Sequence, residues 1–343
     1  MKNILKRLFQ KPYPALDWIQ VEISSHCNAD CIYCPHAAYK KNWQHRHLPG
    51  NVFQKLIPAF ANTRLIYLQG WGEPFLHPKF FEMLKSAKKA GCMVGTTTNA
   101  TVLTENRIEA LVGQGLDVIG FSLAGIDAKN DIIRKGTSLK KTLDCIKHFQ
   151  KARAKFKTNT PKIHIAYLLT RSGLNDLEKI PAFIADTGVD QTVISSLSLA
   201  VNRDMETESI LAVGDGEIQE LHSRLSEIRK EACGKRLEIH FHIVSPAMEN
   251  FCCSENVDRA VVVGSDGSIS PCVFAQIPMT GENYYYFNGQ KRIHRNLSYG
   301  NIQTASLNKI WHQQGYQQFL RSHRKGFVPG TCSSCYKAFI TNF

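Results

Sequence analysis

A chain of 343 residues is long enough to bury a sizeable core as one large α/β domain with an appendage, and it shows no apolar run of signal-peptide or membrane-spanning length. Its formal charge of +13 favours anionic partners in general, yet the basic residues are spread out, with modest concentrations at 147–162 and 321–325 and no recognisable nucleic-acid module, so no nucleic-acid partner is expected. Eleven cysteines fall largely into CxxxCxxC and CxxC clusters with no secretion signal, which points to metal in a reducing cytoplasm rather than to disulfides.

Residues 1–17 read as a short basic, amphipathic lead-in. From 18 to 198, β-rich runs alternate with helix-length amphipathic segments in six βα units. Strands are expected at 18–23, 64–69, 92–97, 117–122, 162–169 and 191–196. Helices are expected at 52–60, 78–90, 104–112, 138–155 and 174–187, with Gly91 as a C-cap. Periodicity alone fits a doubly wound sheet as well as an incomplete barrel. After Ser198 the repeat is expected to stop. Residues 199–247 then read as a polar connection, a helix over 217–231 and a strand over 237–244, and a smaller Cys-bearing region occupies 248–343.

Parallel βα units present functional groups in the loops after their strands, and Cys27-Asn28-Ala29-Asp30-Cys31-Ile32-Tyr33-Cys34 occupies the first such loop. Thiolates of Cys27, Cys31 and Cys34 can hold an iron–sulfur cubane but leave its fourth iron open to another chelator, since full protection takes four Cys. The competing readings are a share in a tetrahedral zinc site and buried cysteines without a ligand. The next loop, Gln69-Gly70-Trp71-Gly72-Glu73-Pro74, has glycines that permit close backbone approach and a carboxylate able to bind an ammonium group; taken alone, it is equally an ordinary turn. Asn99 and Ser122 close later strands and can equally satisfy turn backbone, and Arg134 can equally be a surface ion-pair partner.

A second Cys set lies downstream. Cys253 precedes and Cys272 follows a hairpin expected from 260–263, a turn at Ser265-Asp266-Gly267 and 268–271, and Cys332 with Cys335 forms a CxxC pair. Four soft ligands can close an iron–sulfur or a zinc site completely. Cys252 competes with Cys253, and the hairpin spacing favours Cys253. Cys92, Cys145 and Cys233 are isolated and read as core or surface residues. His36, His45 and His47 make no metal spacing and are expected to flank the loop over the site. Residues 281–295, with Tyr284-Tyr285-Tyr286-Phe287, are expected to line a substrate entry. Glu22 and Arg171 are expected to pair within the barrel, and spacing identifies no catalytic acid or base.

The CxxxCxxC loop with an aromatic before its last Cys, Gly72-Glu73-Pro74 one βα unit later, Thr98-Asn99 and the stretch 121–125 together resemble the radical S-adenosylmethionine (radical SAM) superfamily. The match departs from the family pattern at Trp71, Ala100 and Ala124, which replace two glycines and an acid. The resemblance implies a partial (β/α)6 TIM-like barrel with a small C-terminal α+β cluster-binding region. It implies a four-iron, four-sulfur cluster on Cys27, Cys31 and Cys34, chelated by S-adenosyl-L-methionine, whose cleavage gives a 5′-deoxyadenosyl radical for hydrogen abstraction. By the same resemblance Tyr33 packs on the adenine, Gly72 and Glu73 take the amino group, Asn99 and Ser122 border the cofactor, and Arg134 pairs with its carboxylate.

Gly267 followed by Cys272, the stretch 299–302, Trp311, Tyr316, Phe319 and the CxxC resemble the SPASM or twitch region that follows many such barrels. That implies an auxiliary four-iron, four-sulfur cluster on Cys253, Cys272, Cys332 and Cys335, in a single-cluster twitch-like form because no Cys follows Cys335. The implied activity is maturation of a peptide, protein or cofactor in the cytoplasm, with an external electron donor such as flavodoxin or ferredoxin. The alternatives are a small-molecule alcohol dehydrogenase that uses the auxiliary cluster as electron acceptor and, in another class, a non-catalytic iron–sulfur carrier.

Overall fold

Short β-branched runs separated by amphipathic helices lay down a parallel sheet in this computed structural model, which describes residues 13–210, 215–244, 253–327, 332, 335, 337 and 340–342. The strands β1 (Leu16–Val21), β2 (Thr63–Tyr67), β3 (Met93–Thr98), β4 (Val118–Leu123), β5 (Lys162–Leu169), β6 (Gln191–Ser196) and β7 (Ile239–Val244) lie side by side in chain order, each parallel to the next. The repeat therefore runs one strand beyond the expected end at Ser198. The helix Asp215–Gly234 makes the crossover, turning Leu221, Leu225, Ile228 and Ala232 into the core. Its polar lead-in disguised a seventh parallel strand as part of a connector.

The C-terminal region continues the same sheet. Strand β8 (Ala260–Val263) pairs parallel with the free side of β1, and β9 (Ile269–Ser270) returns antiparallel to it, forming the hairpin the turn residues announced. Strands β10 (Asn283–Phe287) and β11 (Gln290–His294) make a separate two-stranded sheet, and β12 (Ile340–Asn342) pairs antiparallel with β7. The resulting order is β12-β7-β6-β5-β4-β3-β2-β1-β8-β9. One hydrophobic core spans both parts of the chain, joining Ile19, Ile66 and Val94 to Val261, Ile310 and Leu320. Cys252 and the boundary at 248 lie outside the described residues.

Local chemistry explains where the elements begin and break. Thr104 and Ser138 cap the helices Glu105–Gly113 and Leu139–Phe156, their hydroxyls accepting from Arg107 N and Lys141 N at 3.3 Å. Gly91, at φ +86°, follows the helix Phe80–Lys89. The helices expected at 52–60 and 174–187 are each divided. Pro58 and Pro181 lie in the first turn of the second pieces, Ile57–Phe60 and Ile180–Thr187, where the missing N–H is tolerated. On β5 the alternation Ile163, Ile165, Tyr167, Leu169 faces the core, which leaves the intervening residues to the barrel interior.

Candidate active site

A cavity of about 410 Å³ opens at the C-terminal ends of β1–β6. It brings together nine residues singled out in the sequence: Cys27, Cys31, Tyr33, Cys34, Gly72, Glu73, Asn99, Ser122 and Arg134. The Cys loop is pinned over it by backbone bonds from Asp30 N to Lys135 O (2.8 Å) and Ile32 N to Ile133 O (3.0 Å). Asn28 is held on both ends, donating to Thr101 Oγ1 (2.7 Å) and accepting from Asn99 Nδ2 (2.9 Å). Asn99 Nδ2 also approaches Cys27 Sγ at 4.0 Å, while its Oδ1 accepts from Thr101 N at 3.0 Å. Asn99 thus closes its own turn and steadies the Cys loop at once.

The glycines of the second loop serve the fit between two parts of the chain. A Cβ on Gly72 would lie 2.4 Å from Ser24 O and 2.5 Å from His26 O, and one on Gly70 would lie 2.2 Å from the Glu22 side chain. Glu22 does not form the expected ion pair. Its buried carboxylate accepts from Trp71 N (2.8 Å) and Ser265 N (3.2 Å), joining the second loop to the β8–β9 hairpin, and burial raises its pKa. Arg171 is half exposed on the outside, 3.8 Å from Glu217. Trp71, the departure from the family pattern, donates from its indole to Gln276 O at 2.7 Å. That bond ties the loop to the C-terminal region, a role glycine cannot fill.

Electrostatics divide the cavity wall. Burial, abetted by the Cys31 charge, pushes the Cys27 thiol up to about 11 and the Cys34 thiol to about 12. Such thiols keep their protons until a cationic group replaces them. Arg134, 6 % exposed, donates to the Tyr33 hydroxyl and has no ion-pair partner among the described residues. Burial works against its charge, and the Tyr33, Cys31 and Cys27 groups more than offset that. Glu73 is 2 % exposed and accepts from Asn99 N (2.8 Å), Thr98 Oγ1 (2.8 Å) and Phe75 N (3.2 Å). Burial outweighs those bonds and brings its carboxyl to about 7. A buried guanidinium and a buried carboxyl facing three thiols match the carboxylate and ammonium ends of an amino acid beside a soft-metal site.

The second Cys set comes from three stretches of the chain, at Cys253, at Cys272 and at the pair Cys332 and Cys335, whose charges act on one another. Burial raises the Cys253 thiol to about 12 and the Cys332 thiol to about 11, and each is raised further by the charge on Cys335. Cys272 is raised well above its ordinary value by burial, with Glu255, Cys335 and Cys253 adding to the effect. Cys253, Cys272 and Cys332 form no disulfide, and together with Cys335 they make a donor set suited to iron–sulfur ligation. No group of three or more His, Cys, Asp or Glu among the described residues is arranged to hold a single metal ion. This set borders the cavity through Val273 and Phe274, which follow Cys272, and through Lys337, which pairs with Glu255 at 3.1 Å and stands 5.2 Å over the Phe274 ring.

Several features escaped the sequence. Lys337 and the segment Ser195–Leu199 line the cavity, but spacing carries no signal for which residues of a strand end point inward. The β10–β11 hairpin is not among the lining residues, contrary to the expected entry role. It packs one layer behind, Phe287 joining Trp43, Leu199 and Ile277. Of its aromatic run, Phe287 is buried there and Tyr285 and Tyr286 pack partly against the same cluster. The histidines form a string of five rings, His36–His45–His26–His47–His77, with neighbouring centroids 4.3–5.5 Å apart. His77 comes from a different loop, so sequence spacing could not show it. Cys92 and Cys145 are buried and Cys233 is exposed, as their isolation implies.

Family models match at residues 21–165 (radical SAM superfamily) and 252–336 (the SPASM iron–sulfur cluster-binding domain). A "Tungsten-containing aldehyde ferredoxin oxidoreductase cofactor-modifying protein" of Pyrococcus furiosus is 26 % identical over 326 residues, 93 % of this chain and 87 % of that protein. Streptococcus suis SuiB, solved with S-adenosylmethionine, superposes with a TM-score of 0.66 at 17 % identity, over 98 % of this chain and 74 % of that one. The protein anSMEcpe, solved with bound AdoMet and a peptide, gives 0.65 at 17 % identity, over 94 % and 87 %. No helix among the described residues is long and apolar enough to cross a membrane.

Proposed function

Since the chain belongs to the radical SAM superfamily and carries a SPASM domain, we propose that it matures a peptide, protein or cofactor by hydrogen abstraction. One observation carries the reading: a single cavity is bordered on one side by the three-Cys loop and on the other by residues adjoining the four-Cys set. Cys27, Cys31 and Cys34 hold the first four-iron, four-sulfur cluster, and Cys253, Cys272, Cys332 and Cys335 hold the auxiliary one. When bound, the first cluster and S-adenosylmethionine together supply the 5′-deoxyadenosyl radical. Arg134 and Glu73 orient the methionine end by its carboxylate and ammonium, Gly72 and Asn99 fix the loops around it, and Tyr33 and Ser122 border it. Ser195, Ser198 and Lys337 offer polar contacts to a substrate, and Leu197, Leu199 and Phe274 exclude water.

The auxiliary region is of the single-cluster, twitch-like kind, and an external donor such as flavodoxin or ferredoxin supplies the electron in the cytoplasm. A maturase role is supported by the P. furiosus protein, whose name is that of a cofactor-modifying protein, and by the peptide-bound anSMEcpe structure. The alcohol dehydrogenase alternative is not favoured. The test is anaerobic reconstitution, iron analysis, and assay for 5′-deoxyadenosine after reduction with S-adenosylmethionine present. About eight irons per chain and formation of 5′-deoxyadenosine are expected. Absence of cleavage by the fully loaded protein would overturn the reading.

A further inference from the structure

We propose that the Tyr316 hydroxyl donates a hydrogen bond to the auxiliary iron–sulfur cluster and so sets that cluster's reduction potential. The inference rests on the assignment of Cys253, Cys272, Cys332 and Cys335 to that cluster. Tyr316 belongs to the helix Gln314–Arg324 and is 0 % exposed. Its hydroxyl has no hydrogen-bond partner among the described residues. A buried hydroxyl left unpaired is destabilising, and a phenylalanine of the same shape would avoid the penalty, so the group calls for an acceptor. Ile302, Leu307, Ile310 and Leu320, which belong to the same core cluster, are apolar and provide none.

The ring is fixed in place. It stacks on Tyr299 with centroids 4.5 Å apart and planes 8° from parallel, and it tilts against Trp311 at 5.0 Å. Tyr299 N donates to Ile269 O at 2.9 Å, so the stack is bound to β9, the strand that leads into Cys272. Cys272 and Cys332 pack against the same core cluster as Tyr316. After burial and Tyr299, the charge on Cys272 raises the Tyr316 phenol's pKa, and Cys332 acts likewise on Tyr299. Thiolate and sulfide sulfurs are acceptors, and a hydrogen bond to them favours the reduced, more negative cluster. Tyr316 is then a positioning residue that makes the auxiliary cluster easier to reduce.

The test compares reconstituted holoenzyme with its Tyr316→Phe variant by potentiometric titration followed by electron paramagnetic resonance. The variant is expected to keep the wild-type iron content and to shift the auxiliary cluster alone to more negative potential. The expected size is about tenfold in the oxidised-to-reduced ratio, or ~59 mV for one electron. Wild-type protein should also show Fe–S stretching frequencies sensitive to exchange into D2O, a sensitivity the variant loses. An unmoved potential, or wild-type frequencies indifferent to D2O, overturns the hydrogen bond. A wild type that takes up only about four irons overturns the auxiliary-cluster assignment beneath it, and the iron count tells the two failures apart.

Discussion

The two cysteine sets are built on opposite plans. Cys27, Cys31 and Cys34 occupy one short loop, pinned by Asn28, Asp30 and Ile32 and faced by the buried cation Arg134. Cys253, Cys272, Cys332 and Cys335 come from separated segments and have the carboxylate of Glu255 nearby. A loop with its cysteines in one stretch needs little more than its own turns to present them. Cysteines gathered from the ends of a hairpin and a distant CxxC meet only when the surrounding core has formed, so the cluster proposed there would bind in step with folding. The first set is a local device served by the barrel; the second is a product of tertiary structure.

The sharpest way to break this contrast is to remove each set in turn. Replacing Cys27, Cys31 and Cys34 by Ala should abolish 5′-deoxyadenosine formation and remove about four irons while leaving thermal stability nearly intact. Replacing the four downstream cysteines should lower the melting temperature by roughly 5 °C or more yet leave some uncoupled cleavage of S-adenosylmethionine. Equal effects on both readouts would dissolve the distinction.

A smaller effect probes the charge at the first set. Arg134→Gln should weaken S-adenosylmethionine binding by about tenfold to a hundredfold, measured calorimetrically, because a charge-assisted contact to its carboxylate is lost. The smallest concerns Glu73. Burial raises its carboxyl from 4.5 to about 7, so between those values the folded chain holds a proton that the unfolded chain has released. Stability of the cofactor-free protein is therefore fully present below pH 4.5 and is lost as pH rises through 7. S-adenosylmethionine affinity should move the other way, gaining up to about tenfold per pH unit below 7 as the carboxylate forms to receive the ammonium. Glu73→Gln should flatten both profiles in denaturation and binding titrations.

Much of this was legible beforehand, for identifiable reasons. CxxxCxxC, the loop after β2 and the CxxC pair are local spacings, and local spacing survives in a linear string. The strands β5 and β6 fall at their expected bounds because their alternation is strong and their ends are marked by turn residues. What stayed hidden depends on distant partners. Nothing near Ala260 announces that β8 pairs with β1, and nothing near Lys337 announces that it reaches the cavity. Glu22 looked like an inward charge in need of a cation, whereas two backbone N–H groups from loops far apart in sequence satisfy it.

The pairing of β1 with β8 carries a consequence for how the chain is made. Asp17 on β1 bonds to Arg259, at the entrance to β8, across 242 positions of sequence. During synthesis β1 emerges before β2 and pairs with it soon after, but its other edge stays open until β8, reached only after the 242 positions that separate Asp17 from Arg259, has left the ribosome. An unpaired edge of that kind is a template for wrong partners, and contacts this distant slow folding. Yield from cells should accordingly depend on chaperones and growth temperature as much as on iron supply.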